Sequence, residues 1–210
     1  MCAVNTDRND VTTLARLISN IFHPWVVLLP ILVLVAFQAT GGEPFETTKW
    51  ALLAFVPALG FPLLYAKIRA MRLSRSGSRH KISRSLVRND PEQLFITTAL
   101  FGIPSALLLF YLNAPKNLFI IILGITAVMF VIALINIKYR ASFHISMVTT
   151  MLTALYFIFG AVSFIGFIIL PVLGFARYQL GEHTPAQMIT GFFIGLIIGG
   201  ALFYSLGLAA

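Results

Sequence analysis

Long uninterrupted apolar blocks leave this chain few ways to fold. Leu17 to Gln38, Trp50 to Ala66, Leu94 to Leu112, Leu118 to Asn136 and Gln187 to Leu206 are each close to the roughly 17–25 residues a helix needs to cross bilayer hydrocarbon. The stretch from His144 to Ala176 is too long for one crossing and short for two, so a helical hairpin turning near Gly160 to Ser163 is expected. Backbone polar groups in lipid must be satisfied within the segment, which favours helices. Pro57 and Pro62 interrupt the second block, and Asn113-Ala114-Pro115-Lys116 makes a tight turn between the third and fourth. The expected architecture is therefore all-α: a polytopic transmembrane helix bundle of about seven spans, or six if one segment lies in the interface, forming a single domain over residues 1–210.

Composition agrees. The chain is 59% hydrophobic and 10% charged, against about 25% charged in a soluble domain. The first sixteen residues, with Asp7, Arg8 and Asp10, are too polar to begin a secretory signal, and the apolar stretch after them is too long for one. The single Cys2 excludes an intrachain disulfide and a cysteine metal cluster. The net charge of +8 does not point to nucleic acid, because the basic residues sit between spans, where they meet headgroups or phosphate.

Alternation of the spans puts the N-terminus, the 67–93 loop, the 137–143 junction and the 176–187 segment on one face. Of the 15 lysines and arginines, only Lys49 and Lys116 fall on the other. The bias survives removal of Lys81, Arg88 and Arg177, and it assigns the rich face to the cytoplasm. Arg72, Arg75, Arg79 and Arg84 read as headgroup anchors. Lys138 and Arg140 read as interface anchors that can also greet an anionic headgroup. His23, in Phe22-His23-Pro24, reads as structural, and Gly195, Gly199 and Gly200 as sites of close helix packing.

Three segments of the basic face carry chemistry: Lys81-x6-Arg88, Ser142-Phe143-His144, and Arg177-x5-His183-x3-Gln187. Pro185 suits a first helical turn and Thr184 its cap, so the last helix starts beside His183 and places Gln187 one turn away. Arginine offers forked donors to phosphate oxygens and lysine a point charge. A serine hydroxyl and free N–H groups at a helix start complete an anion site. One imidazole can attack phosphorus, and a second can protonate the leaving oxygen.

Order and spacing over residues 81–187 resemble the type 2 phosphatidic acid phosphatases, the lipid-phosphatase branch of the superfamily that includes vanadium haloperoxidases. Their signature is Lys-x6-Arg-Pro, Pro-Ser-Gly-His and Ser-Arg-x5-His-x3-Asp. The resemblance implies that Lys81, Arg88 and Arg177 hold phosphate, Ser142 hydrogen-bonds it, His144 is the general acid and His183 the nucleophile, without metal or other cofactor. The chain departs from the pattern at Asn89, Ala141, Phe143 and Gln187. Gln187 stands where the family has the Asp that orients the nucleophilic histidine. A glutamine carbonyl can still fix the tautomer but supplies no charge.

Two functions follow as expectations. The first is a membrane-embedded lipid phosphate or diphosphate phosphatase, with phosphatidic acid, phosphatidylglycerophosphate and polyprenyl phosphates all fitting as substrates. The alternative is a catalytically impaired relative that binds phospholipid or assists a partner. A small transporter has little support, since few ionisable groups fall inside the spans.

Overall fold

A computed structural model of the chain describes residues 3–60, 65 and 95–207. Among them every regular element is helical. The helices are α1 (Ala3–Ile21), α2 (Pro24–Ala39), α3 (Pro44–Phe55), α4 (Ile103–Tyr111), α5 (Lys116–Ile135), α6 (Phe143–Phe159), α7 (Ile169–Gln179) and α8 (Pro185–Leu202). Four helical stretches are long and apolar enough to cross a membrane: Asp10–Ala39, Lys116–Ile135, Phe143–Gln179 and Pro185–Gly207.

The first of these is broken, where the sequence suggested a continuous span from Leu17 to Gln38. His23 precedes Pro24, and the proline ring disfavours the helical region for the residue before it. His23 accordingly adopts extended angles (φ −62°, ψ 133°) and caps α2, its Nδ1 accepting the Trp25 N–H at 3.4 Å. α1 ends there and packs against α7. α3 starts at Pro44, earlier than the apolar block implied, because the Glu43 carboxylate caps it by accepting the Glu46 N–H at 2.6 Å. A π-helical turn follows at Val56–Gly60 around Pro57, and another at Thr98–Gly102 just ahead of Pro104. At both places a missing proline N–H disturbs the ladder.

The hairpin forms where expected. Gly160 ends α6 at φ +74°, a conformation glycine adopts without steric cost. A 3₁₀ helix over Gly160–Ile168 then folds back on α6. The Ser163 hydroxyl donates to Leu155 O at 2.9 Å, and Gly166 lies against Leu152. The 3₁₀ helix rises about 2.0 Å per residue against 1.5 Å for α. The returning arm therefore reaches about 34 Å with 20 residues, more than the 17 residues of α6 span. Ile145, Val148, Leu152, Leu170 and Leu173 fill the space between the arms.

Among the described residues, α8 packs against α6 more extensively than any other pair of elements. A Cβ built on Gly191 would stand 2.6 Å from Ser142 O, one on Gly195 2.3 Å from Ser146 O, and one on Gly199 3.4 Å from Thr150 O. The register advances four residues on both helices together, so α6 and α8 run parallel with their backbones in contact. Ser146 Oγ donates to Gly191 O at 2.7 Å and Thr150 Oγ1 to Gly195 O at 3.2 Å, bonds worth about 0.6–2 kcal/mol each inside a membrane. The seam uses Gly191, Gly195 and Gly199. Gly200, expected to take part, faces open space, because the helical repeat turns it off the α6 face.

Gly195→Leu is predicted to destabilise the protein by about 1–3 kcal/mol or more, since its side chain must push aside the α6 backbone. Gly200→Ala is predicted to stay within about 0.5 kcal/mol of wild type. Thermal unfolding of the detergent-solubilised protein checks both.

Candidate functional site

The parallel seam brings the starts of α6 and α8 to one end of the bundle. There the Ser142 N–H donates to Gln187 O at 3.1 Å, across 45 residues of sequence. Three other helix ends join them. The end of α7 supplies Arg177, and the end of α1 supplies Ser19, whose Oγ accepts from Arg177 Nη1 at 3.2 Å. The start of α2 supplies His23, whose ring stands edge-on to His144 at 4.9 Å between centroids, and Trp25, which packs on Phe143. A pocket of about 350 Å³ opens at this end, lined by Arg140, Tyr178, Gly181, Glu182, His183, Thr184 and Gln187.

His183 has a defined tautomer. Thr184 and Gln187 form a reciprocal capping box at the start of α8. The Thr184 N–H donates to Gln187 Oε1 at 3.1 Å, so the amide presents its oxygen, not its nitrogen, to the loop. His183 Nδ1 lies 3.3 Å from that same oxygen. An oxygen only accepts, so Nδ1 carries the proton and Nε2 holds the lone pair. Nε2 is buried without a hydrogen-bond partner among the described residues, and so is Ser142 Oγ. Buried polar atoms left in this way are unusual in a folded protein.

Burial holds the His183 pKa below its ordinary value, and the positive charge of Arg177 lowers it further. The hydrogen bond to Gln187 and the charge of Glu182 pull it upward without prevailing. The ring is therefore neutral at neutral pH, the form that has a nucleophilic nitrogen.

The expected site residues divide into three groups. His183 and Gln187 line the pocket and touch each other. Ser142, His144 and Arg177 are at the same end but almost completely buried, at 0%, 0% and 1% exposed, and none of them lines the pocket. Lys81 and Arg88 lie outside the described residues. Two lining residues were given lesser roles by the sequence. Arg140 was read as an interface anchor. The other is Glu182, whose carboxylate ion-pairs with Arg177 Nη2. The turn at Gly181 (φ +66°) reverses the chain and brings Glu182 back onto Arg177. Thr184-Pro-Ala-Gln187 has the capping-box pattern, a signal readable in advance. The Ser19 and His23 contacts are set by tertiary packing and had no such signal.

Comparison with protein-family models, curated proteins and solved structures finds no match.

A histidine whose pKa is lower folded than unfolded binds fewer protons in the native state. Its stabilising effect is complete above the ordinary imidazole value of 6.5 and is lost as pH falls from there through the folded value. Thermal stability is therefore predicted to drop as pH falls below 6.5, and to drop less in His183→Phe, as thermal unfolding over an acid pH series will show.

Proposed function

We propose that the chain is an integral membrane phosphatase of lipid phosphates or diphosphates that works through a phosphohistidine intermediate. The observation that carries this reading is the His183–Gln187 contact at 3.3 Å, which leaves the lone pair on a buried Nε2 beside an open pocket. Nε2 attacks phosphorus, the bond to the lipid oxygen breaks, and His144 gives that oxygen its proton. Water then attacks the phosphohistidine, with the deprotonated His144 as base, and releases inorganic phosphate. Lys81, Arg88 and Arg177 offset the charge that builds on the phosphoryl oxygens, and Ser142 donates a hydrogen bond. In this scheme fixed cations do the work for which other phosphatases use a metal ion.

The proposal includes about seven spans, with six as the alternative. The four long apolar helical stretches support a membrane location. One of them, Phe143–Gln179, folds at Gly160 into two arms, while Asp10–Ala39, although broken at His23, counts as one span. The Phe95–Tyr111 helix and α3 supply the others. The lysine and arginine bias places the N-terminus and the site at the cytoplasmic face, so the substrate is drawn from that leaflet. The lipid tail stays among the spans while the headgroup enters the pocket. Phosphatidic acid, phosphatidylglycerophosphate and polyprenyl phosphates share the required chemistry.

A second reading, a phospholipid-binding relative without turnover, is favoured by one specific feature. Gln187 fixes the tautomer but brings no negative charge to stabilise the ring once phosphorylated.

The purified protein in mixed micelles is expected to release phosphate from a lipid phosphate in the presence of a divalent-metal chelator. His183→Ala is expected to abolish that release. Unchanged release in His183→Ala would sink the assignment. Gln187→Asp separates the two readings: a large gain in rate from a weak wild type marks an impaired enzyme, and no turnover by either protein favours the binding role.

A further inference from the structure

Arg177 is the most deeply buried cation among the described residues, and its side chain is 1% exposed. A buried guanidinium requires an anionic or hydrogen-bonding partner on its donor edges. Ser19 Oγ takes Nη1 at 3.2 Å, and the Glu182 carboxylate takes Nη2. The two partners differ in position. Ser19 is buried in the contact between α1 and α7. Glu182 is partly exposed, at 29%, and lines the pocket beside His183 and Arg140. Arg177 itself does not line the pocket, so the carboxylate stands between the guanidinium and the open space.

Carboxylate and phosphate are the two oxyanions that arginine binds in the same forked geometry. We propose that Glu182 is a built-in competitor of the substrate phosphate, occupying the pocket-side donors of Arg177 until a phosphate displaces it. This rests on the phosphatase reading for the identity of the anion, although the competition itself requires only phosphate binding.

The displacement needs little movement. The Glu182 backbone is held by its N–H to Arg177 O at 3.1 Å and by the turn at Gly181. Rotation of the side chain, a fast motion at a partly exposed position, withdraws the carboxylate from Nη2. Arg177 then exchanges one anion for another and is never left uncompensated. Arg140, exposed at the pocket wall, faces the released carboxylate or the incoming phosphate. The competitor reduces apparent phosphate affinity by the fraction of molecules in which Arg177 is uncovered. It also selects against weak anions, because only a ligand that outbids a tethered carboxylate gains the guanidinium.

The test measures inorganic phosphate binding to the full-length protein in detergent by isothermal titration calorimetry. Glu182→Gln keeps a hydrogen-bond acceptor for Arg177 but removes the charge. It is expected to bind phosphate about tenfold more tightly than wild type, within the usual range for coupled sites. Glu182→Asp keeps the charge on a shorter arm and is expected to fall between the two. It carries the test by itself if the glutamine variant does not fold, with tighter binding than wild type as the supporting result. Phosphate binding that is unchanged, weaker or absent in the folded variant overturns the proposal. Lipid-phosphate hydrolysis measured on the same preparations separates the two ideas. Tighter phosphate binding with no hydrolysis by any protein removes the phosphatase reading and leaves the competitor. Intact hydrolysis with unchanged binding removes the competitor alone.

Discussion

The contact between α6 and α8 sets the position of everything else at the candidate site. Where Gly191 and Gly195 cross Ser142 and Ser146 the two backbones touch, and at Gly199 the Thr153 side chain and the Thr150 carbonyl close the seam. In lipid no hydrophobic force draws helices together, so close packing and interhelical hydrogen bonds must do so. Here the serine and threonine hydroxyls supply the bonds and the glycines supply the room. The helices run parallel, so their N-termini lie side by side. Each carries partial positive charge. Two such ends together repel, and an anion between them relieves the repulsion. The same geometry that joins the helices therefore favours an anion at their mouth.

Charge at that mouth is arranged differently from the family pattern that the sequence resembles. An Asp at position 187 would hold the His183 ring and balance its positive form. Gln187 holds the ring through the capping box and contributes no charge. The acidic group of the loop is instead Glu182, and its carboxylate is turned to Arg177. Orientation and charge compensation are thus divided between two residues. Gln187 keeps the ring in one tautomer, and burial together with Arg177 keeps it neutral. A neutral ring with a fixed Nδ1–H has the form that nucleophilic attack requires, and Glu182 is the carboxylate that its pKa responds to.

Much of this was legible in the sequence because it follows from local rules. The apolar blocks gave the helices, the Gly160 turn gave the hairpin, and Thr184-Pro185 gave the start of α8 beside His183. The spacing of Ser142, His144, Arg177 and His183 anticipated that they share one end of the bundle. What escaped the sequence depends on contacts between distant segments or on fine register. His23 breaks the first span because the proline rule for its neighbour outweighs an apolar run. Arg177 finds Ser19 across 158 residues, a partner that no local pattern encodes. The glycine seam follows a four-residue step through Gly191, and the adjacent pair Gly199-Gly200 concealed which of the two faces α6.

The central claim is that this seam delivers His183 with a free Nε2 lone pair to a phosphate-binding pocket. Rapid quenching of the protein with a radiolabelled lipid phosphate, followed by mass-spectrometric mapping under alkaline conditions that preserve phosphohistidine, tests it most directly. The account predicts phosphate on Nε2 of His183. Turnover of the substrate with no phosphate on His183, or with phosphate on His144 instead, would contradict it.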